Sequence, residues 1–100
     1  MAQKLKPVHP GEVLSEEFLR PLGITPYRLA KSVGISGPRA YEIARSERGV
    51  TADTALRLAR FFGTTPEFWM NLQAHYDLEV ARDAAGAKEL GKIEPLVRVG

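Results

Sequence analysis

The sequence predicts an all-α domain of five helices, the last of them long and followed by a short irregular tail. Three observations lead there. Apolar side chains recur at three- and four-residue spacing, as on one face of a helix, rather than in strict alternation. Prolines stand at the first turns of prospective helices (Pro10, Pro26, Pro38, Pro66), with Thr25, Ser36, Thr51 and Thr64 or Thr65 as capping hydroxyls. Gly23, Gly34 and Gly63 fall where three of these segments should end. A chain of 100 residues with 44% hydrophobic content and no composition break suits one domain spanning 1–100.

The chain is expected to begin with an arm over residues 1–8. Pro10, with Glu12, Glu16 and Glu17 behind it, then fits a helix N-terminus. Val13, Leu14, Phe18 and Leu22 form its expected buried stripe, and Pro21 and Gly23 its expected stop. His9, ahead of it, reads as a surface or capping histidine, because no nucleophile, carboxylate cluster or second histidine has workable spacing to it. His75 is equally alone, so neither metal nor cofactor is expected.

Residues 25–46 read as two short helices joined by about three residues, the spacing of a helix-turn-helix. In the first, Leu29, Ala30 and Val33 face inward. Ala30 lets the second helix approach, Gly34 permits a left-handed turn, and Ile35 plugs the corner. On a wheel at about 100° per residue, the second helix, from about Pro38 to Ser46, puts Ala40, Ile43 and Ala44 on one side. Pro38, Tyr41, Glu42 and Arg45 fall on the other, with Arg39 and Ser46 at its flank. Nothing in the core needs that outer face. Its planar bidentate donor, aromatic hydroxyl and small polar groups suit base edges and phosphates in a DNA major groove.

Charge supports that reading. Residues 25–50 carry five Lys/Arg and two Glu, a net +3, while 1–24 sum to zero, 51–85 to −2 and 86–100 to +1. Clustered cations favour a polyanion by releasing its counterions, although a solvated basic face gives the same tally.

Arg48-Gly49 should turn the chain toward a helix capped by Thr51, with Asp53 in its first turn. Ala55, Leu56, Leu58, Ala59 and Phe62 give that helix an apolar face, and Arg57 and Arg60 are expected in solvent. The fifth helix should run from Pro66 to about Ala85 with two apolar stripes. Phe68, Trp69, Leu72, Tyr76 and Val80 form one, for the core. Met70, Ala74, Leu78, Ala81 and Ala85 form the other, which suits a second copy across a two-fold axis or a cover by the tail. In the tail, 86–100, Ile93, Leu96, Val97 and Val99 are candidates for a short strand or a partner contact. The sequence has no cysteine, no basic-plus-apolar leader and no apolar run long enough to cross a bilayer, so a soluble, cytoplasmic protein is expected.

The segments HPGEVLSEEFLRPLGIT, YRLAKSVGIS and above all ERGVTADTALRLARFFGTTPEFWMNLQAHYDL resemble the XRE-type, λ-repressor-like five-helix DNA-binding domains, and among them the HigA-type antitoxins, from roughly Val8 to Val80. The resemblance implies a homodimeric repressor of its own promoter at a palindromic operator, which also neutralises a HigB-type ribonuclease toxin. Candidate DNA contacts are Thr25, Arg28, Ser36, Pro38, Arg39, Tyr41, Glu42, Arg45, Ser46 and Arg48. Two departures from the family pattern stand out: Thr25 matches the family's Ser/Thr-Gln phosphate contact but Pro26 replaces the glutamine, which calls that contact into question, and Tyr41-Glu42-Ile43 replaces the frequent Asn-Glu-Ile, from which a different preferred operator is expected. A stand-alone regulator without a toxin, and a protein-binding module that has lost DNA binding, are the competing functions. No nucleophile and base pair up in the sequence, so an enzyme is not expected.

Overall fold

The computed structural model describes residues 6–97, with only the backbone of residues 85 and 87. Val99 and most of the 1–8 arm therefore lie outside the described residues. Helix α1 joins three stretches end to end: an α-helical turn Pro10–Val13, a π-helical segment Leu14–Leu19 and a last turn Arg20–Leu22. Helices α2 (Pro26–Val33), α3 (Gly37–Ala44), α4 (Ala52–Phe62) and α5 (Pro66–Gly91) follow, and no strand occurs among the described residues. This is the expected λ-repressor-like arrangement of five rods.

The π-helical segment changes which residues α1 buries. It lies directly ahead of Pro21, which has no N–H and whose ring would crowd the Glu17 carbonyl in a regular α-helix. Widening the turn, with the Arg20 amide donating to the Ser15 carbonyl, relieves that conflict and carries the helix through the proline to Gly23, at φ 66°. The extra residue in the turn advances the inward face by one position. Leu14 and Leu19 are therefore buried, Val13 and Phe18 are half-buried, and Leu22, expected inside, is 59% exposed.

His9 caps α1. Its Nδ1 accepts the Gly11 amide at 2.8 Å and its ring meets Tyr76 of α5 edge-on at 4.7 Å. Burial pushes its pKa below the usual 6.5, against the smaller opposing pull of Asp77. The neutral ring is the form that can accept this bond.

The core is built from Leu14 and Leu19 of α1, Leu29 and Val33 of α2, Ile43 of α3, Val50, then Ala55, Leu58 and Ala59 of α4, and Trp69 of α5. Trp69 is fully buried and its indole N–H donates to Thr64 Oγ1 at 2.8 Å. Phe18 bridges to it and to Phe62, with ring centroids 5.2 and 4.8 Å away. Ala30 and Ala40 are buried where α2 and α3 meet, as the small side chain at 30 led us to expect.

Several expected core residues lie outside it. Leu56 points off the buried face of α4 and is 59% exposed, while Phe68 and Val80 on α5 are exposed too. Helix α5 continues past the body formed by α1–α4, so its core contacts fade after Tyr76. Met70 goes the other way: it packs on the core instead of standing in the outer stripe. Gly86, at φ 69° and ψ 166°, interrupts α5 where the helix was expected to end, but one further turn follows to Gly91. Ile93, Leu96 and Val97 are exposed and form no strand.

Candidate nucleic-acid interface

Helices α2 and α3 make a helix-turn-helix with local chemistry at each junction. Thr25 Oγ1 accepts the Arg28 amide at 3.1 Å, and Ser36 Oγ accepts the Arg39 amide at 3.2 Å. In these bonds each hydroxyl acts as acceptor, so its own proton stays available for a phosphate oxygen. Gly34, at φ 76°, makes the turn between them and donates its amide to Ala30 O.

The end of α3 comes earlier than its sequence pattern suggests. Arg45 caps the helix, Ser46 adopts φ 64°, and the Glu47 amide donates to Glu42 O at 2.8 Å. This is a Schellman-type turn with a serine where glycine is usual. It places Ser46 and Glu47 at the rim of the exposed face.

Along α3, Ala40 and Ile43 are buried and Ala44 packs on the core, while Pro38, Tyr41 and Arg45 are exposed. The wheel is confirmed. The Arg45 guanidinium lies 5.9 Å from the Tyr41 ring centroid and also pairs with Glu47 at 3.7 Å. Glu42 is half-buried and holds Arg48 Nε at 2.7 Å. The outer face is thus an aromatic and guanidinium pair beside an acid and guanidinium pair. Arg28 is exposed on α2, beside Tyr27, whose ring carries the Lys31 ammonium at 5.4 Å.

Arg39 departs from this pattern. Its guanidinium turns toward α4, donating to Thr54 Oγ1 at 2.5 Å and Thr51 Oγ1 at 3.2 Å, with Asp53 at 3.8 Å. Arg57, expected in solvent, also bridges elements. Its Nη1 donates to the carbonyls of Val33 at 2.8 Å and Gly34 at 3.3 Å, closing the C-terminus of α2.

Other supports of α3 have no local signature. Ser15 Oγ donates to Ala44 O at 2.8 Å, using the carbonyl at the end of α3. Gly11 lies against the Ile43 carbonyl so closely that a Cβ there would overlap it. Gln73 of α5 accepts the Val50 amide at 2.6 Å and donates to Asp77 at 2.9 Å, fixing the strap that leaves α3. Buried polar residues facing an apolar pattern were the available signal: Thr54 is fully buried on an otherwise apolar face of α4.

A five-helix body holding one amphipathic helix with its polar side outward defines the class of λ-repressor-like helix-turn-helix domains. The helix-turn-helix family model matches residues 16–69. Virulence-associated protein I of Dichelobacter nodosus is 51% identical over 74 residues, which are 74% of this chain and 68% of that one. Antitoxin HigA-1 of Vibrio cholerae is 43% identical over 76 residues, 75% of this chain and 70% of that one. Among solved structures, Pseudomonas aeruginosa antitoxin HigA with the higBA promoter superposes with a TM-score of 0.87 at 46% identity, covering 91% of this chain and 99% of that chain. The chain belongs to the helix-turn-helix family, in its branch of HigA antitoxins, a family without enzymatic activity. No described helix is long and apolar enough to cross a membrane.

Proposed function

We propose that the protein is the antitoxin of a type II toxin-antitoxin pair, acting in the cytoplasm as a homodimer that represses its own operon at a palindromic operator. The observation that carries the DNA part is the outer face of α3: Pro38, Tyr41 and Arg45 are exposed while Ala40 and Ile43 hold the other side in the core. The relative solved with its promoter matches nearly the whole chain. Thr25, Arg28, Ser36 and Arg48 surround the face and serve as phosphate contacts; Ser46 and Glu42 shape its rim, and Arg45 is the candidate base reader. On α5, Ala74, Leu78 and Ala81 are exposed along one stripe and form the dimer contact, without Met70, while the side chain of Ala85, the last member of that stripe, lies outside the described residues. Neutralisation of a HigB-type ribonuclease rests on membership of the HigA branch.

Fluorescence-detected titration of a duplex carrying the gene's own upstream region tests the reading. Arg45→Ala is expected to weaken binding to that duplex by about 1–3 kcal/mol, with a smaller effect on random DNA. Equal losses on both would make Arg45 a phosphate contact, and no binding by the wild-type protein at low salt would refute repression. Co-expression with a HigB-type ribonuclease tests the antitoxin part: rescue of growth is expected, and undiminished toxicity would refute it.

A further inference from the structure

The first turns of α4 grip both helices of the motif. Arg57 reaches from α4 to the C-terminal carbonyls of α2, and Arg39 reaches from α3 to the hydroxyls at the N-terminus of α4. Asp53 joins the two, with Oδ2 3.0 Å from Arg57 Nε and 3.8 Å from Arg39 Nη2. Thr51 Oγ1 also caps α4 through the Thr54 amide and lies 3.2 Å from Thr54 Oγ1.

We infer that Arg39 is a positioning residue: its bonds to Thr54 and Thr51 set the angle at which the outer face of α3 meets DNA, and it does not itself contact phosphate. The inference rests on the operator-binding reading above. Three features support it. Thr54 is fully buried, so its hydroxyl can take Arg39 only along one direction and leaves the guanidinium little freedom. The Arg39 side chain is 28% exposed, against 63% for Arg45 and 52% for Arg48. A cation at a helix N-terminus also opposes the helix dipole, so this placement depends on its specific acceptors and on the Asp53 carboxylate rather than on the general field. Turning Arg39 outward to a phosphate would strip those acceptors and release the one polar tie between α3 and α4 that the described residues show.

Arg39→Met and Thr54→Val break the same bond from opposite ends. Binding to the upstream duplex and to a random duplex of equal length is measured across a salt series, with thermal unfolding of each variant alongside. Both variants are expected to lose about tenfold on the upstream duplex, little on the random one, and to keep the wild-type salt slope. The double variant should lose no more than either alone. A salt slope flatter by about one in Arg39→Met, with Thr54→Val binding like wild type, would make Arg39 a phosphate contact and overturn the inference. Equal losses on both duplexes that follow the unfolded fraction would overturn it in favour of a purely structural bond. Failure of the wild-type protein to bind either duplex would instead defeat the operator-binding reading, and this inference with it.

Discussion

Ser46 holds φ 64° at the end of α3, in a backbone region that costs an ordinary residue about 1–2 kcal/mol. Glycine avoids that cost but adds some unfolded-state entropy, so Ser46→Gly is expected to stabilise the fold by about 0.5–1 kcal/mol net, read as a higher chemical-denaturation midpoint. An unchanged or lower midpoint would mean that the serine side chain offsets the strain. His9 makes a second single-residue prediction. Burial keeps its folded pKa below the 6.5 of an unperturbed histidine, so the unfolded chain takes up a proton that the fold resists. Its contribution is fully present above pH 6.5 and is lost as pH falls through the lowered folded value. Protonation also removes the acceptor that holds the Gly11 amide. Urea midpoints of the wild type should fall between pH 7.5 and pH 5, and His9→Asn, which keeps a capping acceptor, should fall less. Identical pH profiles would remove His9 as the source.

Elements were largely legible in the sequence where the information is local. Thr25, Ser36, Thr51 and Thr65 each cap the helix they precede, because a hydroxyl and the amide three residues on are neighbours along the chain. The outer face of α3 was legible for the same reason, since a wheel needs only the helical period. What was hidden was set by distance or by backbone irregularity. The π-helical segment ahead of Pro21 moved burial from Leu22 to Leu19, and a regular period cannot anticipate an extra residue in one turn. The bridges from Arg39, Arg57 and Gln73 span 15, 24 and 23 residues, beyond the reach of any local pattern. Gly11 belongs to this group too. It lets α1 approach the Ile43 carbonyl, so Gly11→Ala should force α1 and α3 apart and destabilise by about 1–3 kcal/mol, measured by denaturation, with operator affinity falling further than the unfolded fraction explains. Wild-type stability in that variant would show that the close contact is not needed.

At the scale of the whole molecule, the described residues extend over 54 × 37 × 23 Å. The α1–α4 body carries the proposed DNA face, and α5 leaves it with Leu78 54% exposed and Ala74 and Ala81 beside it on the surface. An apolar stripe of this kind on a helix that has left its own core fits a two-fold contact, and a two-fold axis there would present two copies of α3 to one duplex. Major grooves recur about every 34–36 Å along one side of DNA, which sets the separation the two α3 helices of the proposed dimer would have to reach. Charge agrees with this geometry, since the net +3 of residues 25–50 lies on the motif and the negative balance of 51–85 on the helices behind it. Hydroxyl-radical footprinting of the upstream duplex by the wild-type protein tests the central claim most directly. The account predicts two protected patches on one side of the helix, centred about one turn apart, both lost together on dilution of the protein and both weakened by Arg45→Ala. Uniform protection along the duplex, or none at low salt, would contradict it.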